Sequence, residues 1–206
     1  MGFGYLFIGY MFTFSFTYRG FDVLPDLIGF IIAYIGLISL SEYGCGWDTL
    51  KRFFRVLIPT SAITLVFQIL GLYGKLASVA SLWYYAYTAF LMLYNILLLV
   101  AIFNIAQDTE SKSIAFKARR NLTLGVVYYV LTLFLSLPFS PIQKLSELLS
   151  NKIAFGYFLY VFGYIVQILN LALIFSCYMW ICREEDRDMP DTSRPLFKKR
   201  NKNDED

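Results

Sequence analysis

Histidine is absent from this chain of 206 residues. Its absence removes the ligand or base on which HExxH metalloproteases, His-dependent serine proteases and most membrane-bound metal oxidases rely. Charge is scarce too: 16% of residues are charged, against about 25% in an ordinary soluble domain. Cysteine occurs three times and never as CxxC, which excludes a disulfide scaffold and a zinc ribbon. Cys45 precedes a basic stretch, and Cys177 and Cys182 do not share a helix face, so all three read as free thiols. Neither a GxxxxGKS/T loop nor a GxGxxG turn is present to hold a nucleotide. The residues therefore predict no catalytic group, no metal site and no cofactor.

What the chain has is apolar surface. Apolar residues make up 58% of it, aromatic residues 19%, and the mean hydropathy is +0.57. The net charge of +3 does not point to nucleic acid, because the basic residues sit at the ends of apolar stretches rather than on one face. The expected partner is the lipid bilayer. A spanning helix needs about 20 apolar residues, and the continuous runs predict an all-α bundle of six transmembrane helices. The expected spans are 2–18, 23–43, 56–73, 80–104, 122–138 and 154–180. The first two runs are short, and the pair reads either as two full spans or as a re-entrant hairpin.

Basic residues fall unevenly between these spans. Lys51, Arg52, Arg55, Lys112, Lys117, Arg119 and Arg120 share a side with the basic tail, while Arg19, Lys75, Lys144 and Lys152 face them. The positive-inside rule then predicts that both termini are cytoplasmic. Trp47 and Trp180 fall at the expected cytoplasmic edge and Trp83 at the outer edge, where indole is favoured. The charged tail, 183–206, holds Pro190 and Pro195 and almost nothing to bury, so it is expected to be disordered. It is the expected point of contact for a protein partner.

No ionisable group occupies the middle of a predicted span. The polar residues there are neutral: Gln68, Asn95, Asn104, Gln167 and Asn170. Hydrogen bonding between helices, worth about 0.6 kcal/mol on average, is the plain expectation. A polar pathway through Gln68, Asn95, Gln167 and Asn170 is the functional alternative. Gly29, Ala33 and Gly36 form a smooth stripe suited to close helix contact, within the chain or, as a homo-oligomer, between copies.

The most distinctive segment is Arg19-Gly20-Phe21-Asp22-Val23-Leu24-Pro25-Asp26-Leu27-Ile28-Gly29-Phe30. Asp22 is placed to cap the second helix and Asp26 to favour its positive end. Together they form a pair of exposed turn acids that would otherwise meet a cation or a partner. With the aromatic run before it, this turn resembles a group of uncharacterised small multi-pass membrane proteins of Gram-positive bacteria. The resemblance covers about the first 45 residues and implies a cytoplasmic-membrane location in such a cell, without an activity.

Three functions are open to such a chain. The sequence favours a non-enzymatic subunit or regulator acting through protein or lipid contacts. The alternative is a small permease for a neutral or lipid-like substrate. A membrane enzyme ranks last.

Overall fold

Among the described residues, six helices close into a ring in chain order. The computed structural model describes residues 2–14, 17–18, 21–22, 26–41, 45–69, 77–136 and 153–181. They form α1 (Gly2–Phe12), β1 (Thr17–Tyr18), β2 (Phe21–Asp22), α2 (Asp26–Leu40), α3 (Cys45–Ile69), α4 (Ala77–Asp108), α5 (Lys112–Ser136) and α6 (Ile153–Ile181). Each helix packs on the next, and α6 returns to α1.

Every neighbouring pair is antiparallel. Gly2 lies against Gly36 and Gly9 against Gly29, Lys51 donates to Ser41, and Gly46 abuts Ala101. Asn121 bonds the Leu169 carbonyl, while Phe7 meets Phe175 and Phe14 meets Tyr164. One end of the ring therefore gathers the starts of α1, α3 and α5 with the ends of α2, α4 and α6. Every described Lys and Arg lies there, from Lys51 to Arg55 and from Lys112 to Arg120; we refer to it as the basic end.

Among the described residues, three helices hold segments long and apolar enough to cross a membrane: Gly46–Ile69, Leu82–Asp108 and Tyr157–Trp180. α2 shows why length is not the whole signal. Ile28, Ile31, Ile35 and Ile38 are exposed on one face, and Gly29, Ala33, Gly36 and Leu37 are buried on the other. A helix apolar on all sides belongs in lipid or deep in a core. The glycine stripe meets α1 of the same chain: a Cβ on Gly36 would stand 2.5 Å from the Gly2 carbonyl oxygen. Bare backbone there lets the two helices touch.

Four expectations change. Residues 51–55 and 112–120 are helical, not loops, because α3 begins at Cys45 and α5 at Lys112. Counting apolar residues finds the part of a helix that suits lipid and misses charged turns that continue it, such as the one carrying the Asp48–Arg52 pair. α1 stops at Phe12, and a strand pair with Thr17 opposite Asp22 and Tyr18 opposite Phe21 follows, so a short β element interrupts the all-α plan. The apolar run of 2–18 concealed this strand pair. Trp47 is not at a lipid edge but is buried at 2% exposure with its ring edge-on to Phe3, because an inward-facing indole fills space between α1 and α3. Asp22, finally, lies in β2 opposite Thr17 rather than in an open turn, and the residues between it and α2 lie outside the described residues. Trp180 is exposed as expected. The tail, 183–206, with Cys182, Arg19, Lys75, Lys144 and Lys152, lies outside the described residues.

The turn between α4 and α5 explains their tight antiparallel pairing. Ser111 donates to the Ala106 carbonyl and Glu110 to that of Gln107, with Glu110 at φ 55°. This is the Schellman pattern, closing one helix with a left-handed residue. Ser111 then stands at the N-cap position of α5.

Candidate functional site

The inner face of α3 changes character along its length. Trp47, Leu50, Phe54 and Leu57 are buried at spacings of three and four, and the same face continues through Ser61 and Thr64 to Gln68. α4 runs the other way with the same logic, from Ile102 and Leu98 through Asn95 and Leu91 to Thr88 and Tyr87. Away from the basic end, the ring therefore turns polar inside.

There it encloses a cavity of about 270 Å³. Asp26 of α2 borders it, as do Thr64 and Gln68 of α3. α4 contributes Trp83, Tyr84, Tyr87, Thr88 and Leu91, α5 contributes Tyr128, Tyr129 and Thr132, and α6 contributes Gln167. Several of the polar groups are already engaged. The Tyr87 hydroxyl donates to Asp26 Oδ2. Trp83 Nε1 donates to Thr64 Oγ1 at 3.0 Å. Thr88 and Thr132 return their hydroxyls to carbonyls of their own helices. The amides of Gln68 and Gln167 make no hydrogen bond among the described residues.

Asp26 is not the exposed turn acid the sequence suggested. It is half-buried, the first residue of α2, and held by a phenol of α4. Tyr87 is ten residues inside α4, about 15 Å along its axis. α2 thus starts well within the ring. A carboxylate at that position favours the positive end of the helix.

On its inner side the cavity meets a layer of hydrogen bonds. Tyr10 of α1 donates its hydroxyl to Asn95 Oδ1 at 3.0 Å. Asn170 Nδ2 donates to Tyr10 at 3.0 Å and to Asn95 Oδ1 at 3.3 Å. Asn95 Nδ2 donates to the Tyr129 hydroxyl at 2.8 Å and to the Leu91 carbonyl at 2.9 Å. Tyr129 and Leu91 belong to both the layer and the cavity wall, so the two are continuous. Among the described residues, Asn170 Oδ1 in this layer and the Tyr94 hydroxyl just beneath it are buried without a partner. Below it, Phe30, Phe54 and Tyr94 pack edge to face, with centroids 5.5–5.9 Å apart.

The four polar residues singled out in the sequence are thus brought together in two pairs. Gln68 and Gln167 border the cavity, while Asn95 and Asn170 bond to each other beneath it. Asp26 joins the first pair and Asp22 neither. Asn104 is exposed near the basic end. Sequence reasoning missed Tyr10, Thr64, Tyr87 and Tyr129. Thr64 was within reach, since it sits four residues before Gln68 on the same helix face. Tyr10, Tyr87 and Tyr129 were hidden among 16 tyrosines.

No metal-binding cluster of three or more acidic or cysteine side chains occurs among the described residues. Comparison with known proteins finds no matching family model, curated protein or solved structure.

Proposed function

We propose that this chain is a small-solute permease of the cytoplasmic membrane, with its six helices crossing or entering the bilayer and both termini cytoplasmic. The observation that carries this reading is the convergence of Asp26, Gln68 and Gln167, from three helices, on one cavity above a hydrogen-bonded floor. Polar groups are costly in a membrane and persist where they line a path or bind a solute. The positive-inside rule supports the orientation, since all described basic residues share one end. The cavity then faces outward.

The short first helices fit the same reading. α1 has 11 residues and α2 has 15, about 17 and 23 Å at 1.5 Å per residue, against about 30 Å of hydrocarbon. Interrupted segments are tolerated at membrane depth where they line a cavity, and transporters use such breaks as binding sites. The floor is the first barrier on the path. Its three bonds joining Tyr10, Asn95 and Asn170 are worth about 2 kcal/mol together at the average for membrane helices. Beneath it the packed rings of Phe30, Phe54 and Tyr94 close the path at rest, so passage requires these to part as well.

The subunit or regulator reading rests on the lack of catalytic or charged groups within the spans and on the composition of the tail, whereas convergence of polar groups on one space favours a solute. The deciding experiment is counterflow in proteoliposomes with small amines, amides and polyols. Exchange of at least one solute is expected, and it should be lost in the Gln68→Ala, Gln167→Ala double variant while expression is retained. A folded, monodisperse protein that exchanges none of them overturns the permease.

A further inference from the structure

We infer that the exposed basic face of α5, from Lys112 to Arg120, docks the headgroup of an anionic phospholipid of the cytoplasmic leaflet. The inference rests on the chain sitting in a bilayer and not on its carrying a solute. Lys112, Lys117, Arg119 and Arg120 all belong to α5, and all four are exposed. Basic residues that only set topology sit in loops beyond an apolar run. These four sit within a helix, on the outside of the ring.

The helix face shows what they meet. Lys112, Phe116 and Arg119 recur at spacings of four and three, with Arg120 beside them. The same exposed face continues through Val127 and Val130 to Phe134, whereas Ile114, Ala118, Asn121 and Tyr129 on the opposite face are buried in the ring. Val127, Val130 and Phe134 are therefore the surface that acyl chains cover, and the basic residues continue it toward the headgroups. Phe116, at 69% exposure, sets an apolar ring among the cations, as a surface shared by chains and headgroups requires. Depth agrees. The apolar run after Arg120 spans 122–138 and rises about 25 Å as a helix, against about 30 Å of hydrocarbon. A short apolar segment draws its flanking residues to the hydrocarbon edge, which puts Arg119 and Arg120 level with the phosphates.

The donors are available there. None of the four makes an ion pair among the described residues. Arg120 is also held in place, because its Nε and Nη2 donate to Asn121 Oδ1 at 3.3 and 3.2 Å. Asn121 is buried and bonded to the Leu169 carbonyl, so the guanidinium is fixed where α5 meets α6. The described acids at this end do not cancel the patch: Asp48 is engaged by Arg52, and Asp108 and Glu110 lie ahead of Lys112. The tail that follows α6 carries seven basic and eight acidic residues. It competes with lipid only by laying its acids alone on α5, and deleting it distinguishes that case. Phosphatidylcholine offers the same phosphate but adds an ammonium that four cations oppose.

Native mass spectrometry of the full-length protein, released from detergent with equal amounts of phosphatidylglycerol and phosphatidylcholine of the same acyl chains, tests this. Phosphatidylglycerol adducts are expected to outweigh the others at least about fivefold, the factor that a single basic residue near the surface supplies. The Arg119→Gln, Arg120→Gln double variant should lose most of that preference. Arg52→Gln with Arg55→Gln takes the same charge from α3 and should change it less. Truncation after Arg183 should leave it in place.

Equal binding of the two lipids by the unaltered protein overturns the site, whether or not the variants fold. So does a preference that the α3 pair removes as fully as the α5 pair. A preference lost on truncation belongs to the tail, and one that emerges only on truncation means that tail acids cover α5; either result overturns the inference. Displacement of phosphatidylglycerol by equal amounts of glycerophosphoglycerol, its headgroup without chains, overturns the lipid in favour of a soluble phosphodiester. A protein that keeps the lipid preference but exchanges no solute loses the permease reading and retains this site.

Discussion

The two ends of the ring are built from the same helices and follow different rules. At the basic end, Phe3, Leu6, Leu40, Trp47, Leu50, Ile102 and Cys177 are buried against one another. At the other end the same helices present Thr64, Gln68, Thr88 and Gln167 to a cavity. Lipid is as apolar as leucine, so a membrane helix gains little by hiding a leucine and needs a reason to carry a glutamine. Close packing explains the first end. It does not explain the second, where polar groups surround space instead of filling it. On the permease reading, stability and function are thus separated along the axis of the ring, with the Tyr10–Asn95–Asn170 layer between them.

That separation is open to measurement by substitutions that move from the basic end toward the cavity. Trp47→Ala comes first. It removes a fully enclosed indole that packs edge-on against Phe3, and a loss of about 3 kcal/mol is expected in a mixed-detergent unfolding titration. Next is Gly36→Ala. Its new methyl would meet the Gly2 carbonyl oxygen at 2.5 Å and the Tyr5 Cβ at 2.9 Å, mostly atoms that cannot rotate away. Overpacking of this kind costs about 2 kcal/mol and should push α1 from α2. A Gly36→Ala protein as stable as the parent would mean that the seam between α1 and α2 is loose, and the contrast between the ends would weaken.

Asn170→Ala tests the boundary. It deletes two hydrogen bonds, to Tyr10 and Asn95, and also a buried carbonyl oxygen that has no partner among the described residues. The two bonds are worth about 1 kcal/mol in a membrane, and losing the unsatisfied oxygen offsets part of that. A small destabilisation is expected, with faster solute exchange as the floor loosens. A loss as large as that of Trp47→Ala would move the layer into the packed end.

Much of this was legible in the residues. The helical class, the six helices among the described residues and the packing role of Gly29, Ala33 and Gly36 follow from apolar runs and small-residue spacing. Gln68, Asn95, Gln167 and Asn170 stood out because neutral polar groups are rare in such runs. Two things were not legible. The helix starts at Cys45 and Lys112 were hidden because charge marks the end of lipid-like composition, not the end of a helix. The inward turn of Asp26 was hidden because a proline, an aspartate and a helix start describe an exposed turn equally well. Only the closing of the ring brings the Tyr87 hydroxyl of α4 to that carboxylate of α2. The cavity itself is a property of ring closure, which joins residues from Asp26 to Gln167 and has no local signature.

Gln68→Ala should have the smallest effect on stability and is the sharpest test of the contrast. The side chain is half-buried beside the cavity, and its amide makes no hydrogen bond among the described residues. Removing it leaves no stranded partner, and it enlarges a space that exists already. The unfolding midpoint should therefore shift by less than about 0.5 kcal/mol. Solute exchange in proteoliposomes should nevertheless drop severalfold, because an oriented amide lost from a small site is not replaced by its neighbours. The reverse pattern, a destabilised protein with normal exchange, would make Gln68 a structural strut between α3 and its neighbours. The polar end would then be a second packed end with an imperfect fit, and the reason for its glutamines would have to be sought in helix association instead of solute recognition.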